Sequence, residues 1–478
     1  MITTAIPTAA NSATEEQIHA IFAAQQAYAP VVARSTARER KAKLRRLLEY
    51  LEARIPEVAE TMRLDQGAEE TESLLIESMP ARMETHFVLR HIDAWMAPQR
   101  VPTPITLMGT SSYIQYEPKG VCLIISPWNY PYTLTIRPLI SAIAAGNTVI
   151  IKPSEYAPHA SAFMRDMVQA LFKPEEIAVV EGDAGISQRL LQLPFNHIFF
   201  TGSPSVGKAV MKAASEHLSS VTLELGGKSP SIITEHADID LAASHIAWSK
   251  HIKSGQSCVA TDYVLVHESV AEAFIQRYIH HALSMFEDGL AKGEAYGRSV
   301  NARHFARVEG ILQDALSQGA QVRLGGKTLP EELKIAHTVL TGVKPEMRIM
   351  QEEIFGPLMP VLTYRDPEEA VRITQAAPHP LALYIFSRRE PEIRFFKSRI
   401  LSGDLVVNHC VVHHGNPNLP FGGTNNSGIG KSIGHAGFKE FSHPRSVMIN
   451  HWFLSRLIYP PYTSAWKRRI AKLFYRLN

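Results

Sequence analysis

The chain has 478 residues, room for about three compact units that bury their own cores without disulfide or metal staples. Its composition, 45% hydrophobic and 20% charged with 28 Gly and 30 Pro, excludes a disordered or collagen-like chain. Lys+Arg of 49 against Asp+Glu of 46 leaves +3, too little for the broad basic face that nucleic-acid binding needs, so nucleic acid is not expected as a partner.

Cys122, Cys258 and Cys410 are the only cysteines, too sparse for a disulfide framework, and free thiols in a reducing, cytoplasmic compartment are expected. The start, MITTAIPTAANSATEEQIHA, lacks the basic region, apolar block and small-residue cleavage site of a secretory signal. No apolar run approaches the roughly 18 residues that a membrane-spanning helix needs.

From Glu15 to about Met96 apolar residues recur at three- and four-residue spacing, as in LRRLLEYLEARIPEVAETM, which predicts a helical entry segment. Pro102 and Pro104 break it, and SSYIQYEP (111–118) alternates as a half-exposed strand does. The short apolar runs VCLIIS (121–126), NTVIIKP (147–153), IAVVEG (177–182) and HIFFTG (197–202) then alternate with helical stretches, the pattern of a parallel, doubly wound α/β sheet covered on both faces. A second α/β unit is expected to begin near Leu225, with IDLAASHIAWSKHI as a helix, DYVLVH as a strand and VAEAFIQRYIHHAL as a helix.

The end of the chain differs in kind. From Ser464 on, Trp466, Ile470, Leu473, Phe474 and Leu477 share one helical face, and Lys467, Arg468, Arg469, Lys472 and Arg476 carry positive charge with no acid among them. Two uses of this basic amphipathic helix are open: peripheral contact with an anionic membrane surface, or packing of the apolar face onto the protein itself.

Four constellations could carry chemistry. Gly202-Ser-Pro-Ser-Val-Gly207-Lys208 has Walker-type spacing after an apolar strand, but Ala209 stands where a nucleoside-triphosphate loop needs a hydroxyl for Mg²⁺. A glycine-bearing turn at a helix N-terminus, suited to a pyrophosphate, is the preferred reading, against a tight turn with no ligand. Cys258, in Ser254-Gly-Gln-Ser-Cys258, lies at a helix-to-strand junction where a side chain can face a cleft, and as a nucleophile it needs activation toward thiolate. Glu224, in LELGG, is a carboxylate in an apolar strand, which points to acid/base work or to an ion pair with a lysine such as Lys228. Asn129 follows the first strand of the sheet, where an amide can serve an oxyanion or simply close a turn between prolines. The histidines around Cys410 (His409, His413, His414) raise metal binding, but LVVNHCVV (405–412) reads as a strand that points neighbours to opposite faces, and no metal is expected.

Taken together, from about Ala81 to Asn450, the chain resembles the aldehyde dehydrogenase superfamily. The motifs are Pro127-Trp-Asn129, Lys152-Pro-Ser-Glu155, FTGSPSVGK from Phe200, LELGGK from Leu223, GQSC from Gly255, EEIFGP from Glu352 and PFGG from Pro420 with Ser427-Gly428, all in family order. GQSCVATDYVL and the LPFGGTNNSG…FSHPRSV ending resemble the class 3-like branch, the coniferyl and fatty aldehyde dehydrogenase type.

The resemblance implies NAD(P)-dependent oxidation of an aldehyde to a carboxylic acid. In it Cys258 is the nucleophile, the Asn129 amide and the Cys258 backbone N–H hold the oxyanion, and Glu224 activates the hydrolytic water. It implies a cofactor set of Ser126, Trp128, Lys152, Glu155, Gly202, Ser203, Val206, Gly207, Leu225, Glu353 and Phe355. Within it Lys152 and Glu155 meet the adenosine ribose, and Gly202, Ser203 and Gly207 the pyrophosphate region. Val206 lies by the adenine, Glu353 at the nicotinamide ribose and Phe355 against its ring. Glu155 repels a 2′-phosphate and so favours NAD, with NADP left open. Pro204 is a departure, since many relatives carry Thr there.

The implied architecture is a Rossmann-like dinucleotide-binding domain (1–104 and 118–224), an α/β catalytic domain (225–415), a small β oligomerisation extension (105–117 and 416–452) that makes a homodimer, and the tail (453–478). Acylation of coenzyme A by the Cys258 thioester and cysteine hydrolysis are the competing activities; Glu224 argues against the first, and no Cys–His pair is legible for the second.

Overall fold

A computed structural model describes residues 13–285, 297–452 and 459–477. The start read for a secretory signal (1–12), the first part of the tail (453–458) and the Leu477 side chain lie outside the described residues.

The entry segment folds into helices Glu15–Ala33, Ala37–Glu52, Ile55–Gln66 and Met79–Met96. Thr14 and Thr36 open the first two as reciprocal capping boxes with Gln17 and Glu39, satisfying N–H groups that a helix start leaves unpaired. Leu44, Leu47, Val88 and Ile92 bury the apolar stripe. A π-helical turn, Leu74–Ser78, precedes the fourth helix and puts Glu77 wholly inside the protein.

The expected parallel sheet has six strands in the order Gly428–Ile429, Ser220–Leu225, His197–Gly202, Val121–Ile125, Thr148–Lys152 and Ile177–Val179. Only the first of these runs antiparallel to its neighbour. Val121–Ile125 and Thr148–Lys152 are buried along their whole length, because the crossover helices Thr133–Ala145, Pro158–Leu171, Ala184–Leu191 and Pro204–Ser215 cover the sheet. The chain winds outward from Val121–Ile125 to Ile177–Val179, then returns to lay His197–Gly202 on the other side of the first strand. That reversal opens a crevice at the carboxyl ends of these two strands.

A second sheet of seven strands runs Gln321–Leu324, Thr338–Thr341, Leu358–Tyr364, Tyr263–His267, Pro230–Ile233, Ala382–Phe386 and Asp404–Val407, parallel except for the first pair. The chain passes between the sheets at Gly226-Gly227, where a Cβ on Gly226 would collide with Glu353. Thr110–Pro118, the expected half-exposed strand, pairs antiparallel with Ser442–Asn450 over its full length, with Gln99–Val101 on its other side.

Two expectations need correction. IAVVEG is strand only over Ile177–Val179. LVVNHCVV is strand only to Val407: Asn408 and Val411 have φ of +56° and +67°. Asn408 exchanges hydrogen bonds with the backbone of Ser387, 3.0 Å each, and these replace the ladder there.

In the tail, Ala465–Leu477 is helical and lies against the Ile105–Leu107 turn. Its apolar face is split: Ile470 and Phe474 are half-buried, while Trp466 and Leu473 are 49% and 54% exposed.

Candidate active site

Cys258 sits on a loop whose shape comes from its backbone. After the helix Ile239–His251, Lys253, Ser254 and Gly255 all take positive φ, 51°, 52° and 74°, and the chain reverses. Gly255 is obligatory, since a Cβ there would strike the carbonyl oxygen of Gly356. The Gln256 amide ties the loop down by donating to the oxygens of Lys253 (2.9 Å) and Arg298 (3.1 Å). Cys258 is half-buried, whereas Cys122 and Cys410 are fully buried, and all three are free. Burial pushes the Cys258 thiol up, with the charges of Glu353 and Glu224 adding to the effect and the backbone N–H groups of Cys258 and Val259 opposing it.

Asn129 is buried, and its Nδ2 donates to Gln256 O at 3.1 Å, which brings the turn after the first strand onto the cysteine loop. An amide nitrogen has two hydrogens, so one remains for a ligand. Gln66 ties the same two segments: its Oε1 accepts from Lys253 Nζ at 2.8 Å, and its Nε2 donates to the Trp128 carbonyl oxygen.

Glu224 is 6% exposed in the strand Ser220–Leu225. Its Oε1 accepts from Ser432 Oγ at 2.7 Å, and its Oε2 is buried without a partner. Burial, with Asp404 adding, raises its carboxyl to about 8. The alternative of an ion pair with Lys228 is overturned: Lys228 Nζ bonds Asp262 Oδ2 and the carbonyl oxygens of Ile349 (2.9 Å) and Glu352 (3.0 Å). Cys258, Glu224 and Ser432 line a single cavity whose other walls include Tyr130, Thr133 and Phe421.

The remaining expected residues gather at the carboxyl ends of the first sheet's strands. Ser126 Oγ is buried with no partner. Lys152 Nζ donates to Pro153 O and to Glu155 Oε2, both at 2.9 Å. Ser203 caps the helix Pro204–Ser215, accepting from Val206 N at 3.4 Å, and Val206 is 49% exposed. Pro204 takes the first helical position, where a missing N–H costs nothing. A Cβ on Gly207 would stand 2.7 Å from Leu225 Cδ2. Its smallness lets helix and strand approach, and Leu225 is the buried residue beneath it. A Cβ on Gly202 would meet the Phe200 ring at 2.5 Å.

Glu353 is half-buried, with its Oε1 enclosed and lacking a partner; burial and Asp262 raise its carboxyl to about 8, against a bond from the Gly227 backbone. Phe355, at φ +50°, meets Trp128 edge-to-face at 5.5 Å. The Cys/His group diverges. His409 stacks on His245 at 3.8 Å, Cys410 Sγ faces Thr261, and His414 Nδ1 contacts Val411 O at 2.7 Å.

Gln66 and Ser432 belong to this neighbourhood and carry no sequence signal, because each reaches it from a distant segment. For Arg137 a trace exists, its four-residue spacing from Thr133 and Ser141 on one helix.

The sequence profile of the aldehyde dehydrogenase family matches residues 3–447. The chain belongs to the aldehyde dehydrogenase family. It is 38% identical to 4,4'-diaponeurosporen-aldehyde dehydrogenase of Staphylococcus aureus, covering 91% of this chain and 94% of that one. It is 38% identical to the dimeric NADP-preferring aldehyde dehydrogenase of Rattus norvegicus, covering 80% and 84%. The solved Staphylococcus aureus AldH, in a substrate-bound state, superposes with a TM-score of 0.91 at 36% identity over 95% of this chain and 99% of that one. PnpE, solved with nicotinamide adenine dinucleotide, gives 0.83 at 27% over 92% and 91%. This aldehyde dehydrogenase thus oxidises aldehydes to carboxylic acids with a nicotinamide dinucleotide, on an α/β fold of the class 3 type.

Proposed function

We propose that Cys258, Glu224 and Asn129 perform the oxidation. What carries this reading is that a half-buried thiol and a carboxyl with an unpartnered oxygen line one cavity. The Cys258 thiolate attacks the aldehyde carbon, and the thiohemiacetal oxygen accepts from the second Asn129 Nδ2–H and from the Cys258 backbone N–H. A bound nicotinamide dinucleotide would supply the hydride acceptor for this carbon, which leaves a thioester on Cys258. Glu224 then takes a proton from water as its oxygen attacks the thioester, and the acid departs with Cys258 released as thiolate. Coenzyme A acylation has no use for Glu224, and the charges that act on Cys258 are those of carboxylates, not of a histidine, which disfavours a cysteine hydrolase. The test is NAD(P)H formation from aliphatic and aromatic aldehydes: Cys258→Ala is inactive while its melting temperature stays within a few degrees of the parent, and unchanged turnover refutes the assignment.

The polar groups fit a dinucleotide: Ser126 Oγ and Glu353 Oε1 are buried and unpaired, the latter an acceptor for a ribose hydroxyl, and Ser203 caps a helix N-terminus. Lys152 and Glu155 would hold the adenosine ribose, Gly202 and Ser203 the pyrophosphate, Val206 the adenine and Glu353 the nicotinamide ribose, with Phe355 and Trp128 bounding the ring; Gly207 and Leu225 support the turn from behind. Glu155 favours NAD over NADP.

The proposed domain partition is 1–104 with 118–224, 225–415, 105–117 with 416–452, and the tail, although Gln99–Val101 pairs in the small sheet and Gly428–Ile429 in the first. Ser442–Asn450 is a long, exposed edge strand, which suits pairing in a homodimer. The tail helix, with Trp466, Leu473 and Tyr475 exposed beside its cations, suits peripheral contact with anionic lipid. Among the described residues no helix is long and apolar enough to cross a membrane. Three free thiols suit a cytoplasmic enzyme.

A further inference from the structure

One charged side chain interrupts the largely apolar wall of the cavity that holds Cys258 and Glu224. On the helix Thr133–Ala145, Thr133, Arg137 and Ser141 recur every fourth residue and all line it. From Thr133 to Ser141 that stripe runs about 12 Å, at roughly 1.5 Å per residue. Arg137 is 8% exposed. Both hydrogen bonds of its guanidinium leave from Nη2, to Glu84 Oε2 at 3.3 Å and to His414 O at 3.1 Å. Nε is buried and has no partner. Nη1 also donates to no group among the described residues and, unlike Nε, is not enclosed, so the guanidinium lacks an acceptor on this wall of the cavity.

The chemistry of that acceptor follows from the charges around it. Glu84 is buried, and its Oε1 accepts from Gly434 N at 2.7 Å, so it is fixed in place as the counter-charge of Arg137. His414 is held neutral, lowered to about 4 by burial and then by the Arg137 charge. The pair of Arg137 and Glu84 is therefore already balanced. A carboxylate arriving at Nη1 would put a second anion beside Glu84 with one cation between them, and burying the surplus charge is costly. A neutral oxygen supplies the missing acceptor without that cost.

We infer that Arg137 is a specificity residue, and that the preferred substrates are aldehydes whose apolar body carries a neutral oxygen acceptor placed to receive an Arg137 Nη1–H while the carbonyl lies at Cys258. This rests on Cys258 as the nucleophile. The oxygen belongs at one position of the body only. Elsewhere along the cavity an oxygen in place of a methylene loses water and gains nothing.

The test is an ether scan. Matched alkanals, each with a single methylene replaced by oxygen and the oxygen walked along the chain, are compared by kcat/KM in the wild-type enzyme. One position exceeds its neighbours by about tenfold, the scale of a hydrogen bond to a charged donor. In the Arg137→Met/Glu84→Gln double variant, which leaves no unpaired buried charge, that maximum disappears and the profile is monotonic. Arg137→Lys, which keeps a cation but not the planar donor, shifts or flattens it. A merely structural Arg137 would lower all substrates alike and leave the maximum in place. A flat or monotonic scan in the wild-type enzyme, a maximum that survives in the double variant, or an ω-carboxylate aldehyde preferred over every ether overturns the inference. Oxidation that persists in Cys258→Ala overturns instead the site reading beneath it.

Discussion

Replacing Glu224 by Gln isolates one step of the cycle. The side chain keeps its size and can still accept from Ser432 Oγ, 2.7 Å away in the parent, but it can no longer take a proton. Acylation of Cys258 proceeds and deacylation stalls, so rapid mixing with saturating aldehyde and NAD gives a burst of NADH of about one equivalent per site, followed by a steady rate lowered by about 10² to 10⁴. The wild-type profile fixes the sign of the pH effect. Burial raises the Glu224 carboxyl to about 8, so the group is mostly protonated at neutral pH and becomes an effective base only as pH rises. A carboxyl titrating there is about one-tenth ionised at pH 7 and about nine-tenths at pH 9, and the deacylation rate climbs roughly ninefold across that window. The same rise is absent from the residual steady rate of Glu224→Gln. A Gln variant with full steady turnover, or a wild-type deacylation rate that is flat from pH 7 to 9, refutes Glu224 as the base.

Three further outcomes follow from the geometry. Gly226→Ala drives a Cβ into Glu353 Oε2, so NAD affinity measured by titration calorimetry falls at least tenfold, and overpacking costs about 1–3 kcal/mol in stability; unchanged affinity argues against Glu353 as a cofactor residue. Glu155→Gln removes a carboxylate that faces solvent on one side and Lys152 on the other, and the ratio of kcat/KM for NADP to that for NAD rises about tenfold; a constant ratio places the discrimination elsewhere. The full chain co-sediments with anionic vesicles and loses this in high salt, in neutral phosphatidylcholine vesicles, or when truncated after Tyr462; equal, negligible binding by full-length and truncated protein removes the lipid reading.

The elements and their class were legible because their causes are local. Val121–Ile125 and Thr148–Lys152 read as buried parallel strands from their continuous apolar runs, and Thr14 and Thr36 announce helix starts by a side chain that reaches three residues. LVVNHCVV misled for the complementary reason. Apolar content suggests a strand to 412, but the ladder ends where the Asn408 side chain finds the Ser387 backbone, a partner distant in sequence. Glu224 with Lys228 failed in the same way, since the lysine is claimed by Asp262 on another segment.

By itself, then, the sequence determined the α/β winding, the one cysteine worth suspecting, and the motifs whose order marks the family. Tertiary structure decided what surrounds them. Gln66 joins the Trp128 turn to the Cys258 loop, Ser432 holds Glu224, and Arg137 reaches the cavity beside Glu84. Strand and helix preferences are set within a few residues, whereas burial, and with it the protonation of Glu224 and Glu353, exists only once distant segments have closed over the site and excluded water.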